Sequence, residues 1–390
     1  MTHSPSEPPA SAPVLEMPDS PLDPVHPSRP AKRRIEGYDV ARALAVLGMI
    51  LVNYKVVLVA QGSNACVWLT GFASLFEGRA AATFVILAGV GMSLMTARAR
   101  ASREPADLGR ARITLLRRAL FLFVGGMLYT PLWPADILHF YGLYMTLGVL
   151  LIRASSATLF AAITALSLSF AILLFPLDYF GDWDWTTLTY QNFWTAKGLF
   201  KHLFFNGFHP VIPWAAFLLY GIWLGRQDLL DAALRRRIML VGALVAVVVE
   251  GGSLVLVRIF GKGLSGVELE LVQALLGTEI IPPMPFYLLA AGGTATVVIC
   301  LSVWLGERFP QALWKRALVH TGQLALTLYV AHVVIGMGAQ EELGLIGQGT
   351  IFDAFWWTLG FFAVAVVASH LWRLRFKRGP VEALMRKIAG

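Results

Sequence analysis

The sequence predicts an all-α protein, a polytopic integral membrane helical bundle with about ten transmembrane helices and both termini cytoplasmic. Three observations lead to this class. Of the 390 residues, 57% are hydrophobic and only 14% are charged, whereas soluble domains average about 25% charged residues. Many apolar stretches approach the roughly 20 residues that a helix needs to cross the hydrocarbon layer. The sequence also lacks the alternation of apolar and polar residues that is typical of membrane β-barrel strands.

The two ends of the chain differ from the apolar region between them. Residues 1–34 are rich in Pro and Ser and poor in large apolar residues. This composition predicts a disordered cytoplasmic N-terminal tail without the apolar core of a signal peptide. Residues 35–373 are predicted to form one transmembrane domain. Residues 374–390, "LRFKRGPVEALMRKIAG", are predicted to be a basic cytoplasmic C-terminal tail.

Ten apolar segments are interpreted as spans, and the basic residues test their orientation. Lys and Arg concentrate in the connections that are cytoplasmic when the N-terminus is inside, as the positive-inside rule requires. The net charge of +8 is therefore attributed to membrane topology, and membrane lipids rather than nucleic acid are the expected partners. The predicted spans are residues 38–59, 80–97, 118–133, 137–152, 156–175, 210–225, 237–257, 284–304, 317–337 and 352–371.

The first predicted span carries a polar stripe. Arg42 and Asn53 are eleven residues apart, close to three helical turns, so they share one face about 16 Å apart along the axis. Asp39 precedes Arg42 by three residues and can pair with it. Such a stripe faces protein or a water-filled cavity, because exposure to lipid is costly. It indicates either a salt bridge with an amide bond between helices, or a binding site.

Three histidines are predicted at the depth of Asn53, near the outer ends of their spans: His139, His209 and His332. Asp136 stands three residues before His139, a spacing that allows a carboxylate to orient an imidazole. An oriented imidazole suits a general base or an acyl acceptor. Hydrogen-bonded packing inside the bundle is the alternative interpretation of each histidine.

Charged residues mark both ends of the predicted bundle. Glu77 and Arg79 lie at the outer mouth of the second span, where they form either part of a site or an interfacial salt bridge. The cytoplasmic basic residues indicate either anionic lipid contacts or Arg forks that hold a phosphorylated donor. Cys66 and Cys300 give no zinc-binding spacing, and no metal is expected. The basic residues are Arg42, Arg110, Arg112, Arg117 and Arg118.

Six motifs, in chain order, resemble those of a known family. "RIEGYDVARALAVLGMILVNY" resembles the opening "D-x-x-R-G-x-A" and "V-N" of bacterial membrane proteins in the DUF418 and DUF1624 group. That group is related to heparan-α-glucosaminide N-acetyltransferase within the transmembrane acyltransferase superfamily. Later motifs are similar as well, and the match covers nearly all of the chain from residue 34. These motifs are "FEGRAAATFVILAGVGMSL", "ADILHFYGLYMTLG", "HPVIPWAAFLLYGIWLGR", "TGQLALTLYVAH" and "RGPVEALMRK".

The resemblance implies a multi-pass acyltransferase of the bacterial cytoplasmic (inner) membrane that takes acetyl-CoA or another acyl-CoA from the cytoplasm. The acyl group passes to a hydroxyl or amine of a glycan or lipid-linked acceptor near the outer face. Asn53 matches the active-site Asn of the eukaryotic relative, and His332 matches a late-span His. Two positions depart from the pattern: Ala43 replaces the usual Gly, and Asn64 stands where the relative has its active-site His.

The resemblance also implies a role for each polar residue. Arg42, held by Asp39, binds a donor phosphate, Asn53 binds or polarises the acyl carbonyl, and an imidazole deprotonates the acceptor. An acyl-histidine intermediate and direct transfer both fit. The candidate catalytic residues are His332, His139, Asn53 and Asp136. The candidate binding residues are Arg42, Asp39, Arg117, Arg118, Glu77, Arg79 and His209.

Two other functions are compatible with the same residues. A secondary transporter or exporter would use intramembrane Asp, Arg and His as a proton relay. A non-catalytic membrane protein would retain the scaffold alone, an interpretation that the Asn64 departure favours. The acceptor is not identified by the sequence, and neither is the oligomeric state, so that a homodimer is left open.

Overall fold

Sixteen α-helices account for most of the residues that the computed structural model describes, namely 1–2, 34–60 and 66–390. The all-α prediction is confirmed. Ile35–Gly390 forms one compact unit, whereas most of the predicted N-terminal tail and Asn64 lie outside the described residues. The helices are α1 (Gly37–Leu58), α2 (Val67–Ser74), α3 (Arg79–Ala101), α4 (Pro105–Tyr129), α5 (Leu138–Leu150), α6 (Ser156–Leu173), α7 (Ala196–Lys201), α8 (Val211–Leu224), α9 (Ala232–Phe260), α10 (Val267–Leu276), α11 (Pro285–Arg308), α12 (Leu313–Gln323), α13 (Ala325–Ala331), α14 (Gly338–Glu342), α15 (Ile351–Arg375) and α16 (Pro380–Ala389).

Three shorter features interrupt the helical pattern. β1 (Trp183–Asp184) and β2 (Thr189–Tyr190) pair as an antiparallel ribbon in the connection between α6 and α7. Helices α7 and α13 each continue into a π-helical segment, His202–Asn206 and His332–Met337 respectively. Because π-helical turns occur frequently at functional sites, both segments direct attention to the histidines that begin them.

The helices confirm a multi-pass membrane protein. Among the described residues, six helical stretches are long and apolar enough to cross a membrane, and two bent helix pairs raise the number to eight. The pairs bend by 49° between α7 and α8 and by 72° between α12 and α13. Helix α5 has only 13 residues, and α4 carries charges through its first half. The count of ten spans and the cytoplasmic position of both termini therefore stay predictions.

Helix α1 lies at the centre of the bundle, where it packs against α3, α11, α12 and α15. In the most apolar window of α1, 56% of the residues are buried, against 11% in α6 and 11% in α9. The low values show that α6 and α9 present most of their apolar side chains outwards, as helices in contact with lipid do. The polar stripe of α1 is consequently enclosed by protein.

Close contact between α3 and α8 depends on two glycines. A Cβ atom on Gly89 would lie 2.2 Å from the Leu218 carbonyl oxygen, and one on Gly221 would lie 2.1 Å from the Ile86 carbonyl oxygen. Small residues allow helix backbones to approach in this way within membranes. Gly91, two residues after Gly89, has no such neighbour and instead lines a cavity.

Candidate active site

Asp39 and Arg42 form the ion pair that their spacing predicts. Arg42 Nη1 donates to Asp39 Oδ1 at 2.7 Å and also lies 3.4 Å from the carbonyl oxygen of Gly322, near the end of α12. The Asp39 side chain is buried, whereas the Arg42 side chain keeps 27% of its surface exposed. The guanidinium therefore borders a cavity while its carboxylate partner is enclosed in the bundle.

At the other end of α1, Asn53 contacts His332, the first residue of a π-helical segment. Asn53 Nδ2 lies 2.9 Å from His332 Nε2, and His332 Nδ1 contacts the carbonyl oxygen of Tyr329. A carbonyl oxygen only accepts hydrogen bonds, so Nδ1 carries the proton and Nε2 accepts one amide hydrogen of Asn53. Tyr54 Oη donates to the His332 carbonyl oxygen at 3.1 Å and fixes the same turn. Asn53 retains its second amide hydrogen for a ligand.

A second set of buried hydrogen bonds begins on Tyr329. Tyr329 Oη donates to Asp136 Oδ1 at 3.1 Å, and Asp136 Oδ2 lies 2.9 Å from His139 Nδ1. Asp136 Oδ2 also accepts from the backbone N–H of Leu138 at 2.9 Å. The His139 Nδ1–H therefore faces the carboxylate, and Nε2 carries the lone pair. His139 Nε2 is buried and has no hydrogen-bond partner among the described residues, which is the arrangement of an oriented general base.

Two cavities border this polar network. The larger has a volume of about 350 Å³ and is lined by Arg42, Arg118, Gln323 and Glu382 together with apolar side chains. The smaller has a volume of about 50 Å³ and is lined by Asn53, His209 and Tyr329. The charged groups of the predicted donor site and the amide of the predicted catalytic site thus open into different spaces.

A thin wall of packed side chains separates the two cavities. On α3, Phe84 lines the larger cavity and Ala81 lines the smaller one. At the start of α5, Leu138 lines the larger cavity, and the preceding residue, Ile137, lines the smaller one. Each change of side occurs within about one helical turn, or roughly 5 Å along the axis. Tyr329 lines the smaller cavity, and Ala325 and Leu326 of the same helix line the larger one. Asp136 and His139 line neither cavity.

The outer histidines form a cluster that includes one residue missed by the sequence analysis. The His139 ring stacks on His202 with ring centroids 5.6 Å apart, while His209 borders the smaller cavity. The only sequence signal for His202 is its distance of seven residues, about two turns, from His209. No group of three or more metal-binding side chains occurs in the described part of the chain. Aromatic rings surround His202: Trp183, Tyr190 and Phe193.

Glu77 and Arg79 do not pair with each other. Glu77 Oε1 accepts from Lys55 Nζ at 2.5 Å, and Arg79 pairs with Glu250 of α9. The sequence does not reveal these partners, because Lys55 and Glu250 lie in other helices whose approach depends on packing. Neither Glu77 nor Arg79 lines either of the two cavities. Their geometry is that of salt bridges which fasten the start of α3 to α1 and α9.

The predicted basic residues separate into two environments. Arg118 lines the larger cavity and donates to the Gly390 carbonyl oxygen at 3.3 Å, whereas Arg117 is exposed and lines neither cavity. Helix α16 brings Glu382 and Met385 into the cavity wall, and neither is among the site residues that the sequence predicts. Their spacing of three residues on one face of "VEALMRKIA" is the signal that could have identified them.

Comparison with known proteins places the site in a family. Residues 34–256, more than half of the chain, match the model described as heparan-alpha-glucosaminide N-acetyltransferase, catalytic. Residues 224–390 match DUF418, a protein family of unknown function. None of the curated proteins compared matches the chain. The first match contains Asn53, Asp136 and His139, and the second contains His332 and Glu382, so the network joins both regions. The chain thus belongs to the DUF418 and heparan-alpha-glucosaminide N-acetyltransferase-like family, a membrane acetyltransferase-like family.

Proposed function

We propose that this protein is a bacterial cytoplasmic-membrane acyltransferase. It moves an acyl group, most simply acetyl, from cytoplasmic acyl-CoA to a hydroxyl or amine of a glycan or lipid-linked acceptor near the outer face. The observation that carries the proposal is the pair of cavities that border one buried polar network. Family membership supports the transferase class.

The larger cavity suits the donor. Arg42 and Arg118 offer guanidinium groups to the donor phosphates, because Arg forms strong paired hydrogen bonds with phosphate oxygens. Apolar side chains such as Phe84, Leu122 and Met145 complete the lining and suit an extended, largely uncharged thioester arm. The volume of about 350 Å³ falls within the range of roughly 300–1,000 Å³ typical of ligand pockets.

The polar network supplies the groups that acyl transfer requires. His139 Nε2 would take the proton from the acceptor hydroxyl or amine, whose oxygen or nitrogen then attacks the acyl carbonyl carbon. Once the side chains of the wall between the two cavities are displaced and the thioester extends from the larger cavity into the smaller one, the second amide hydrogen of Asn53 would stabilise the negative charge that develops on the carbonyl oxygen. The carbon–sulfur bond breaks, and the CoA thiolate leaves through the donor cavity. The proton that His139 took from the acceptor is released to the thiolate through water, which restores the base. His332 would hold the Asn53 amide in place, and Asp136 would stabilise the protonated His139.

A secondary transporter is the second candidate function. The bent pairs α7–α8 and α12–α13 favour it, because broken helices form the substrate sites of many transporters. The two functions differ in their ligands: an acyltransferase binds acyl-CoA, whereas a transporter of a small molecule has no use for it.

Binding of acetyl-CoA to detergent-purified protein by calorimetry tests the donor site. We expect micromolar affinity in the wild type and a loss of at least tenfold in Arg42→Ala, since a buried phosphate contact is removed. The matched control is Arg117→Ala, which lies in the same basic region but outside the cavity and should change the affinity less than threefold. If no acyl-CoA of any chain length binds the wild type, the acyltransferase proposal fails and the transporter takes first place.

A further inference from the structure

The helix that carries Tyr329 and His332 begins at a break clamped by two opposite charges. Helix α12 ends at Gln323, α13 begins at Ala325, and the axes of the bent pair differ by 72°. A break of this kind exposes unpaired carbonyl groups at the end of the first helix and unpaired N–H groups at the start of the second. Arg42 lies against the carbonyl oxygen of Gly322, on the first side of the break.

Glu382 of α16 satisfies the other side of the break. Its Oε1 accepts from the backbone N–H groups of Leu326 at 2.9 Å and Thr327 at 3.0 Å. Its Oε2 accepts from Thr327 Oγ1 at 2.5 Å, and this hydroxyl in turn accepts from the backbone N–H of Val381 at 3.1 Å. A carboxylate at a helix N-terminus caps the free N–H groups and matches the helix dipole. The cap comes from a residue 55 positions later in the chain.

Both charges of the clamp also line the donor cavity. Arg42, Glu382 and Met385 border the same space, and Arg118 contacts the last residue of the chain. From Thr327, Tyr329 is two residues away and His332 is five, or about 8 Å along the helix. A small displacement of the start of α13 is therefore carried within two turns to the hydrogen bonds on Asp136 and Asn53.

We propose that Glu382 is a positioning residue, which caps α13 and thereby holds Tyr329 on Asp136 and His332 on Asn53. This inference rests on the proposed function for its effect on turnover. It assigns the C-terminal helix α16 to the site as the element that sets the register of α13. Helix α16 then has two roles: it forms part of the wall of the donor cavity, and it supports the polar network of Tyr329, Asp136, Asn53 and His332.

Two variants of Glu382 and one control test the proposal. Glu382→Ala removes every cap contact, whereas Glu382→Gln keeps an oxygen that can accept from both backbone N–H groups. Glu268→Gln, on the exposed surface of α10, is the matched control. We expect Glu382→Ala to lower kcat at least tenfold, measured at saturating acyl-CoA so that any change in donor affinity does not contribute. Glu382→Gln should recover kcat to within threefold of the wild type, and Glu268→Gln should equal the wild type.

A second measurement does not depend on activity. Hydrogen–deuterium exchange should be about five- to tenfold faster in residues 325–337 of Glu382→Ala, as expected for a lost helix cap, and unchanged in α3 and α9. If Glu382→Ala does not fold, Thr327→Val should show faster exchange confined to the same segment. If the wild type binds no acyl-CoA, the proposed function fails but the positioning role of Glu382 does not. Hydrogen–deuterium exchange still tests whether Glu382 caps α13. Unchanged exchange in residues 325–337, or turnover in Glu382→Ala equal to the wild type, overturns the positioning role.

Discussion

The two imidazoles of the network differ in which ring nitrogen is engaged. In His332, Nδ1 contacts the Tyr329 carbonyl and Nε2 accepts from Asn53, so both nitrogens have partners. In His139, Nδ1 faces Asp136 and Nε2 has none among the described residues. A general base needs an available lone pair. The geometry therefore favours His139 as the base and His332 as the residue that holds the Asn53 amide, although the family resemblance drew attention first to His332.

Replacing Asp136 by Asn separates the chemistry from binding. An Asn at this position still accepts from Tyr329, but its NH₂ group cannot accept the His139 Nδ1–H, so the required tautomer is lost. We expect acyl transfer to fall by about 10²–10⁴-fold, the usual contribution of a general base. Donor affinity should change less than threefold, because Asp136 lines neither cavity. Turnover of labelled acetyl-CoA and calorimetry measure the two effects, and Asp178→Asn in the exposed connection is the control. Undiminished transfer by Asp136→Asn would exclude His139 as the base.

Sequence alone predicts the local contacts of the site and misses the distant ones. The pairs Asp39–Arg42 and Asp136–His139 are three residues apart, and helical geometry brings such neighbours together wherever the helix lies. Asn53 and His332 are 279 residues apart, so their contact depends on how α1 packs against α13. A common predicted depth suggested that they lie near each other, but it could not indicate which atoms meet.

At the scale of elements, most predicted spans coincide with helices, whereas the breaks were not predicted. The segment "TGQLALTLYVAH" has no Pro, and a single Gly322 is tolerated inside a helix, so its sequence predicts one continuous span. The interruption at Leu324 depends on charges supplied from α1 and α16.

The sequence predicts a tail over residues 374–390, yet they include α16. The reason is that a short amphipathic helix rich in Arg and Lys resembles a basic tail in composition.

In the connection between α6 and α7, Asp182 accepts from Lys201 and Asn206, and this gives the connection a pH dependence. Burial raises the pKa of Asp182, but hydrogen bonds from Lys201 and Asn206 outweigh it and bring the pKa below the ordinary value of 3.8. Because the pKa of Asp182 is lowered in the folded protein, its ionised form stabilises the connection at pH values above the ordinary pKa. This stabilisation is lost as the pH falls through the pKa of the folded protein. We expect the protection of amides in residues 178–206, measured relative to their intrinsic exchange rates, to be constant between about pH 5 and 8 and to fall below about pH 4.

The control for this effect is Asp182→Asn, which retains the shape of the side chain but does not titrate. Between about pH 5 and 3 its residues 178–206 should lose less protection than those of the wild type. The remaining loss comes from Asp184, whose pKa is also lowered by hydrogen bonds from Thr187 and Thr186. An equal loss of protection in the wild type and in Asp182→Asn would contradict the role of this carboxylate. Tryptophan fluorescence offers a second reading, since Trp183 and Trp185 lie in the same connection.

At the scale of the whole molecule, the distribution of Lys and Arg predicts the orientation in the membrane. A membrane-impermeant maleimide should label Cys66 in intact cells, because the connection after α1 is predicted to lie outside. Cys300 is buried and should not react in the folded protein, so it serves as the internal control. In a Cys66→Ser background, Lys387→Cys should react only after permeabilisation. Labelling of Lys387→Cys in intact cells would reverse the predicted topology.

The short helix α5 has a consequence for the membrane around the site. Its 13 residues extend about 20 Å, against a hydrocarbon thickness of roughly 30 Å. A span shorter than the bilayer thins the lipid locally or admits water at its ends. Asp136 and His139 lie at one end of α5. On the predicted topology, in which α5 is a span, the place where we propose that acyl transfer occurs is therefore also a place where the barrier between the two aqueous compartments is thin. We therefore expect a water-soluble acceptor group to approach this end of α5 without crossing the full hydrocarbon layer.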